Sequence, residues 1–264
     1  MPSVIVRPPI CRGNAHRVPA RGHSNPPAMA RAESALGSRP VGRLQLSKRI
    51  VLLVVLLAGI AACTSTSKSD LPLPYHGDAD QVVTVVTEHA ADTTATLTAW
   101  QRISGGWRAE IGPLLAYVGR DGIGRASEDS AHTPAGVWTL SEAFGIAPND
   151  GTRLPYRQVG TQDWWVSDSS SPNYNRYAQC ATGTCEFNEN ASENLGRAGA
   201  AYEHAVVIDY NRQPVVAGAG SAFFLHVETG GPTAGCVSIP AADLSAVMRW
   251  LDPSAHPVIN IGSR

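Results

Sequence analysis

From residue 81 onward, short apolar runs alternate with turn residues, and their period is mostly that of a β-strand. Val83 and Val85 sit in a run rich in β-branched residues over 81–90. Thr96 to Trp100 alternates polar and apolar positions, and Gly105-Gly106 marks a hairpin turn into Trp107. Further strands are predicted at 136–140, 164–166, 205–210, 214–217, 222–227 and 258–261. Helical spacing comes late, where Leu244, Val247, Met248 and Leu251 share one face of 243–251. Pro240 precedes that stretch and Pro253 ends it. A second short helix is expected at 192–196. There is no internal repeat. The pattern predicts one mainly β domain over 81–264, a sandwich or barrel with one or two short helices.

The stretch 149–200 breaks this rhythm. It is long, polar and turn-rich, with Trp164, Trp165, Tyr174 and Tyr177 embedded in it. Two readings stay open: a substrate-binding cap, or a surface excursion whose aromatics fill small satellite cores.

The first 62 residues follow a different pattern. Residues 1–47 are rich in Arg and Pro with no apolar period, so they are expected to be disordered. Met29 is an alternative start to Met1. Lys48-Arg49 then precedes thirteen apolar or small residues, Ile50 to Ala62. A span of that length is shorter than the roughly 20 residues a bilayer crossing needs, and it fits a secretory signal. Its end, Ile60-Ala61-Ala62-Cys63, resembles the lipobox of bacterial lipoproteins, which implies acylation of Cys63. Residues 63–80 then read as the lipidated Cys and a flexible tether. This predicts an exported protein at the outer face of the cytoplasmic membrane and in the cell wall, touching the membrane through the lipid alone.

Charge supports the division. Up to Cys63 there are nine Lys+Arg and one acidic residue, 9 − 1 = +8; beyond it there are twelve and twenty-one, 12 − 21 = −9. An acidic body without a basic cluster argues against nucleic acid, because phosphate binding needs concentrated cations. A monomer is expected.

Export changes what the five cysteines mean. Cys11 and Cys63 belong to the N-terminal segment. Cys180 and Cys185 bracket a loop short enough to close as a disulfide; metal binding would suit the spacing too, but no second Cys pair or His cluster stands nearby. Cys236 is then left unpaired, in a Gly-rich segment running from Gly230 to Gly235. Such a turn lets backbone N–H groups converge, as an oxyanion hole requires. His226 ends the apolar run Ala222 to Leu225, ten residues before Cys236, and a strand, a turn and a return can bring the two together. An imidazole beside a thiol is the usual way to generate a thiolate.

His226 followed by Thr233-Ala234-Gly235-Cys236-Val237-Ser238 resembles the signature of the YkuD-type L,D-transpeptidases. Thr133-Pro134-Ala135-Gly136-Val137-Trp138 is similar to the motif that family carries upstream. The resemblance covers most of 81–264 and implies an L,D-transpeptidase-like β-sandwich or barrel and a cysteine acyltransferase. That enzyme would form 3→3 cross-links between tetrapeptide stems of peptidoglycan, without metal or organic cofactor. Cys236 would be the nucleophile, His226 its base, and Gly235 with Cys236 the oxyanion donors. Thr233 and Ser238 would position the thiolate, and His204 is placed with them as a reserve base. Thiol alkylation is then expected to persist well below the usual thiol range. The chain departs from the family pattern at Ala234, where histidine is usual, and at Ser238.

Two other readings compete. A cysteine peptidase or amidase of the NlpC/P60 kind places its Cys before its His, the reverse of the order here. A non-catalytic wall-binding lipoprotein would keep the domain with Cys236 vestigial, and Ala234 favours that reading.

Overall fold

The computed structural model describes residues 69–264. The signal segment, the Met29 start, Cys63 and the first part of the tether lie outside them. Among the described residues no helix is long and apolar enough to cross a membrane.

Among the described residues, fifteen strands and one α-helix follow in chain order. The first group is β1 (Gln81–Thr87), β2 (Thr94–Ile103), β3 (Gly106–Tyr117), β4 (Ile123–Gly124), β5 (Thr133–Pro134), β6 (Gly136–Thr139), β7 (Ala143–Gly145) and β8 (Tyr156–Gln158). Then come β9 (Asp163–Trp165), β10 (Tyr177–Gln179), β11 (Glu193–Asn194), β12 (Ala205–Val207), β13 (Phe224–Val227) and β14 (Val237–Ile239). Helix α1 (Ala241–Trp250) and β15 (Val258–Ser263) close the chain. Ten strands form one large sheet, ordered β6-β15-β1-β2-β3-β14-β13-β12-β7-β8. A small sheet, β10-β9-β11, and the pair β4-β5 complete the mainly β fold.

β1 is buried along its whole length, because side chains on both of its faces are covered. Val83 and Val85 face the main core, while Val82 joins Ala79, Trp107 and Val258 in a smaller one. The predicted hairpin is present, with Gly105 at φ 76° in its turn, a conformation that favours glycine. Helix α1 lays Leu244, Val247 and Met248 over Leu225, Val227, Val237 and Ile239 of the sheet. Asp243 in its first turn and Arg249 in its last suit the helix dipole.

Three sequence expectations change. The stretch set down as a flexible tether is packed from Ser69: its backbone pairs with Trp107, Tyr75 meets the Trp107 ring edge-on, and Arg102 bonds the carbonyls of Gly77 and Ala79. Residues 192–196 are not an α-helix. Glu193 and Asn194 pair with Trp165 and Trp164, and Gly196 lies so close to Gly160 that a Cβ would meet its carbonyl carbon at 2.1 Å. Residues 214–217 are a turn rather than a strand, because the Asn211 amide bonds both N–H and C=O of Val216 and closes the loop locally.

Candidate active site

β13 and β14 run parallel, with Leu225, His226 and Val227 level with Val237, Ser238 and Ile239. Strand alternation sends Leu225, Val227, Val237 and Ile239 to the helix side. Phe224, His226, Cys236 and Ser238 fall on the other side. Continuing the register places Cys236 beside Phe224, so His226 and Cys236 are diagonal neighbours on one face, a spacing of roughly 7–8 Å between backbones. Cys236 is 0% exposed and His226 3%. Ala205 of β12 is level with His226.

The His226 Nδ1 is 2.8 Å from the Val227 carbonyl oxygen. A carbonyl only accepts, so Nδ1 carries the proton in the neutral ring and Nε2 has the lone pair. Nε2 is buried without a hydrogen-bond partner, as is the Ser238 hydroxyl beside it. Burial pushes the imidazole down to about 4, against a smaller upward pull from the Val227 carbonyl. The ring is packed by the edge of Tyr202 at 5.6 Å, and the Tyr202 hydroxyl donates to the Glu193 carboxylate.

The turn before β14 is held from two sides. The Thr233 hydroxyl donates to the Cys236 carbonyl at 2.6 Å and accepts from the Gly235 N–H at 3.0 Å. Thr133 accepts from the Gly119 N–H at 2.8 Å and reaches the same Cys236 carbonyl at 3.4 Å. Gly235 has φ 139°, and a Cβ there would meet the Phe223 ring at 2.7 Å. Thr233 therefore fixes backbone, where the sequence suggested contact with the thiolate. The Gly235 N–H is committed to Thr233, which removes it from the expected oxyanion pair.

The Cys236 sulfur lies 3.4 Å from the carbonyl oxygen of Ala222. It is also disulfide-bonded, so the expectation of an unpaired cysteine at 236 is not met. Any nucleophilic role belongs to the reduced form. His204 is not brought to this site; its Nε2 is 3.0 Å from the Pro148 carbonyl and its ring tilts onto Tyr156. Cys180 and Cys185 are bonded to each other. Among the described residues no group of three His, Cys, Asp or Glu side chains converges on a metal position.

The 149–200 segment packs its aromatics against the face that carries His226 and Cys236. Trp165 stacks edge-on against Phe224 at 5.1 Å, and Trp165 and Leu195 share a buried cluster with Cys236 and Tyr202. Trp164 is buried on the other side of β9, against Phe187 and the Cys180 carbonyl.

With a turn, an imidazole and a cysteine in this arrangement, the match to a family model is decisive: the L,D-transpeptidase catalytic domain, YkuD, matches residues 89–259. The chain belongs to the YkuD family. No curated protein matches it. Among solved structures it is similar to the helical cell shape determining protein Pgp2 from Campylobacter jejuni, at 11% identity and a TM-score of 0.37. That likeness covers 72% of this chain and 50% of the other, so the chain matches about half the length of that structure. The YkuD span contains Thr133, His226 and Cys236 but leaves out β1. Ala234, standing where the family pattern has histidine, is buried. Sequence reasoning passed over Tyr202, Asn175 and Ala222, whose importance comes only from their position in space. Thr133 was visible as part of a motif, though not as a support for the Cys236 carbonyl.

Proposed function

We propose that the reduced domain is a cysteine acyltransferase that forms 3→3 cross-links between tetrapeptide stems of peptidoglycan, exported and anchored by lipid on Cys63. The observation that carries this reading is the diagonal pairing of His226 and Cys236 on one buried face, with Nδ1 tied to a carbonyl and Nε2 left as an acceptor. Because the imidazole titrates near 4, it is neutral at pH 7 and serves as a base. His226 takes the Cys236 proton as sulfur attacks the amide carbonyl between the diamino acid and terminal D-Ala. The C–S bond forms, the C–N bond breaks, and the departing D-Ala amine takes the proton from His226. An amine of a second stem then attacks the thioester, and sulfur leaves with a proton. The Cys236 N–H supports the oxyanion, with Gly235 locked behind it by Thr233.

The disulfide at Cys236 favours one second reading, a wall-binding lipoprotein in which this cysteine is structural. Intact-mass analysis of the reduced protein with a disaccharide-tetrapeptide separates the two. The enzyme reading requires an adduct on Cys236 equal to the stem minus D-Ala. No adduct with the stem or with a carbapenem, on protein whose Cys236 is verified as reduced, would support the binding module.

A further inference from the structure

Ala222 is fully buried and has φ 57°, in the left-handed region that residues other than glycine seldom occupy. Its carbonyl oxygen is the one 3.4 Å from the Cys236 sulfur. Such backbone persists only where its surroundings over-determine it.

Asn175 supplies that constraint from the cap. Its Oδ1 accepts from the Ala222 N–H at 3.2 Å and from the Trp165 indole N–H at 2.9 Å. Its Nδ2 donates to the carbonyls of Tyr210 at 3.0 Å and Asn211 at 2.8 Å. Every hydrogen-bonding position of the amide is therefore used, on a side chain only 2% exposed. The residues just before Ala222 are held by a separate set: Ser221 and Tyr174 both donate to Glu128, and the Gly220 N–H donates to Tyr174. The Ala222 N–H is held by Asn175.

We propose that Asn175 is a positioning residue for Cys236, acting through Ala222: it holds the Ala222 backbone so that its carbonyl fixes the position of the sulfur. This rests on the reading of Cys236 as nucleophile. A carbonyl oxygen at that distance disfavours the thiolate, so releasing it should ionise the thiol more easily while leaving it less well aimed. More thiolate with less acyl transfer is a combination that general loosening does not produce.

Asn175 itself has φ 56°, so Asn175→Gly deletes the side chain without straining the backbone. In reduced protein, the pH midpoint of Cys236 alkylation by iodoacetamide should fall by about half a unit or more. Acylation by the tetrapeptide should drop about 10–100-fold. Adding Ala222→Gly, which relieves the strain at φ 57°, should return both readouts several-fold towards wild type. Trp164→Phe, which cuts the indole bond to the Cys180 carbonyl and leaves the Asn175 bonds in place, should lower Tm without moving the midpoint. If Asn175→Gly does not fold, Ala222→Val attacks the same backbone and should move the midpoint the same way. An unmoved midpoint in the folded variant, no recovery in the double variant, or an equal shift in Trp164→Phe overturns the proposal. Wild-type protein that is alkylated but never acylated overturns the enzyme reading instead, with the alkylation comparison still able to decide the role of Asn175.

Discussion

The two faces of the β13–β14 pair, with Cys236 just before β14, are built from alternate residues of the same eight positions, yet they differ in kind. On the helix side, Leu225, Val227, Val237 and Ile239 meet Leu244, Val247 and Met248 in an all-apolar core. On the cap side, a histidine, a cysteine and a serine sit among Phe224, Tyr202 and Trp165, with two buried polar atoms lacking partners. Buried polar atoms are normally satisfied, so leaving two unsatisfied lowers stability, and the first face offsets that cost. Stability and chemistry are thus separated across the thickness of one sheet, and substitutions one residue apart should have unlike consequences.

The largest contrast is expected at the cap face: compared with reduced wild type, Cys236→Ser should remove all acyl-enzyme and product, because an alcohol is far less acidic than a thiol, while Tm stays within a few degrees. Intact mass and calorimetry check this together, and acylation surviving in the serine variant would break the separation. On the opposite face, Leu244→Ala should cost about 2–5 kcal/mol by leaving a cavity under the helix. Its folded fraction should be acylated at the wild-type rate; urea titration and rate measurement below the transition decide it.

The buried imidazole sharpens the comparison through pH. His226 has a folded value near 4 against about 6.5 when unfolded. Protons therefore bind the unfolded chain first, and stability falls as pH drops from about 6.5 to about 4, by up to about 3 kcal/mol. His226→Gln should flatten that slope in urea melts at several pH values, while Leu244→Ala should keep it. The smallest effect concerns the disulfide at the edge of the cap. Selective removal of the Cys180–Cys185 bond should cost on the order of 2 kcal/mol at most, since it closes a short loop. Hydrogen exchange should rise over 177–189 and stay unchanged in α1.

The helix-side face was legible in the sequence because it is local. The 3.6-residue stripe of α1, the alternation in β2 and β13, the Gly105 hairpin and the Cys180–Cys185 loop each depend on neighbours in the chain. The cap-side face depends on register and long-range contacts. Nothing around Ala222 announces a positive φ, and Asn175 reads as an ordinary loop residue until four hydrogen bonds converge on it. His204 stood in sequence as the reserve to His226; the strand order sends it to Pro148 and Tyr156. Residues 214–217 have the β-branched pair Val215 and Val216 but lose a strand to the side chain of Asn211. With Cys236 in its disulfide, burial alone holds the imidazole neutral down to about 4.

The central claim is that His226 acts on Cys236 as a neutral base during attack. The direct measurement compares reduced wild type with His226→Ala in two profiles: alkylation of Cys236 against pH, and acylation by the tetrapeptide. The account predicts an alkylation midpoint nearly the same in both proteins and an acylation rate about 10²–10⁴-fold lower in the variant. An alkylation midpoint that rises in His226→Ala would mean a charged pair at rest, and an unchanged acylation rate would mean that His226 is not the base.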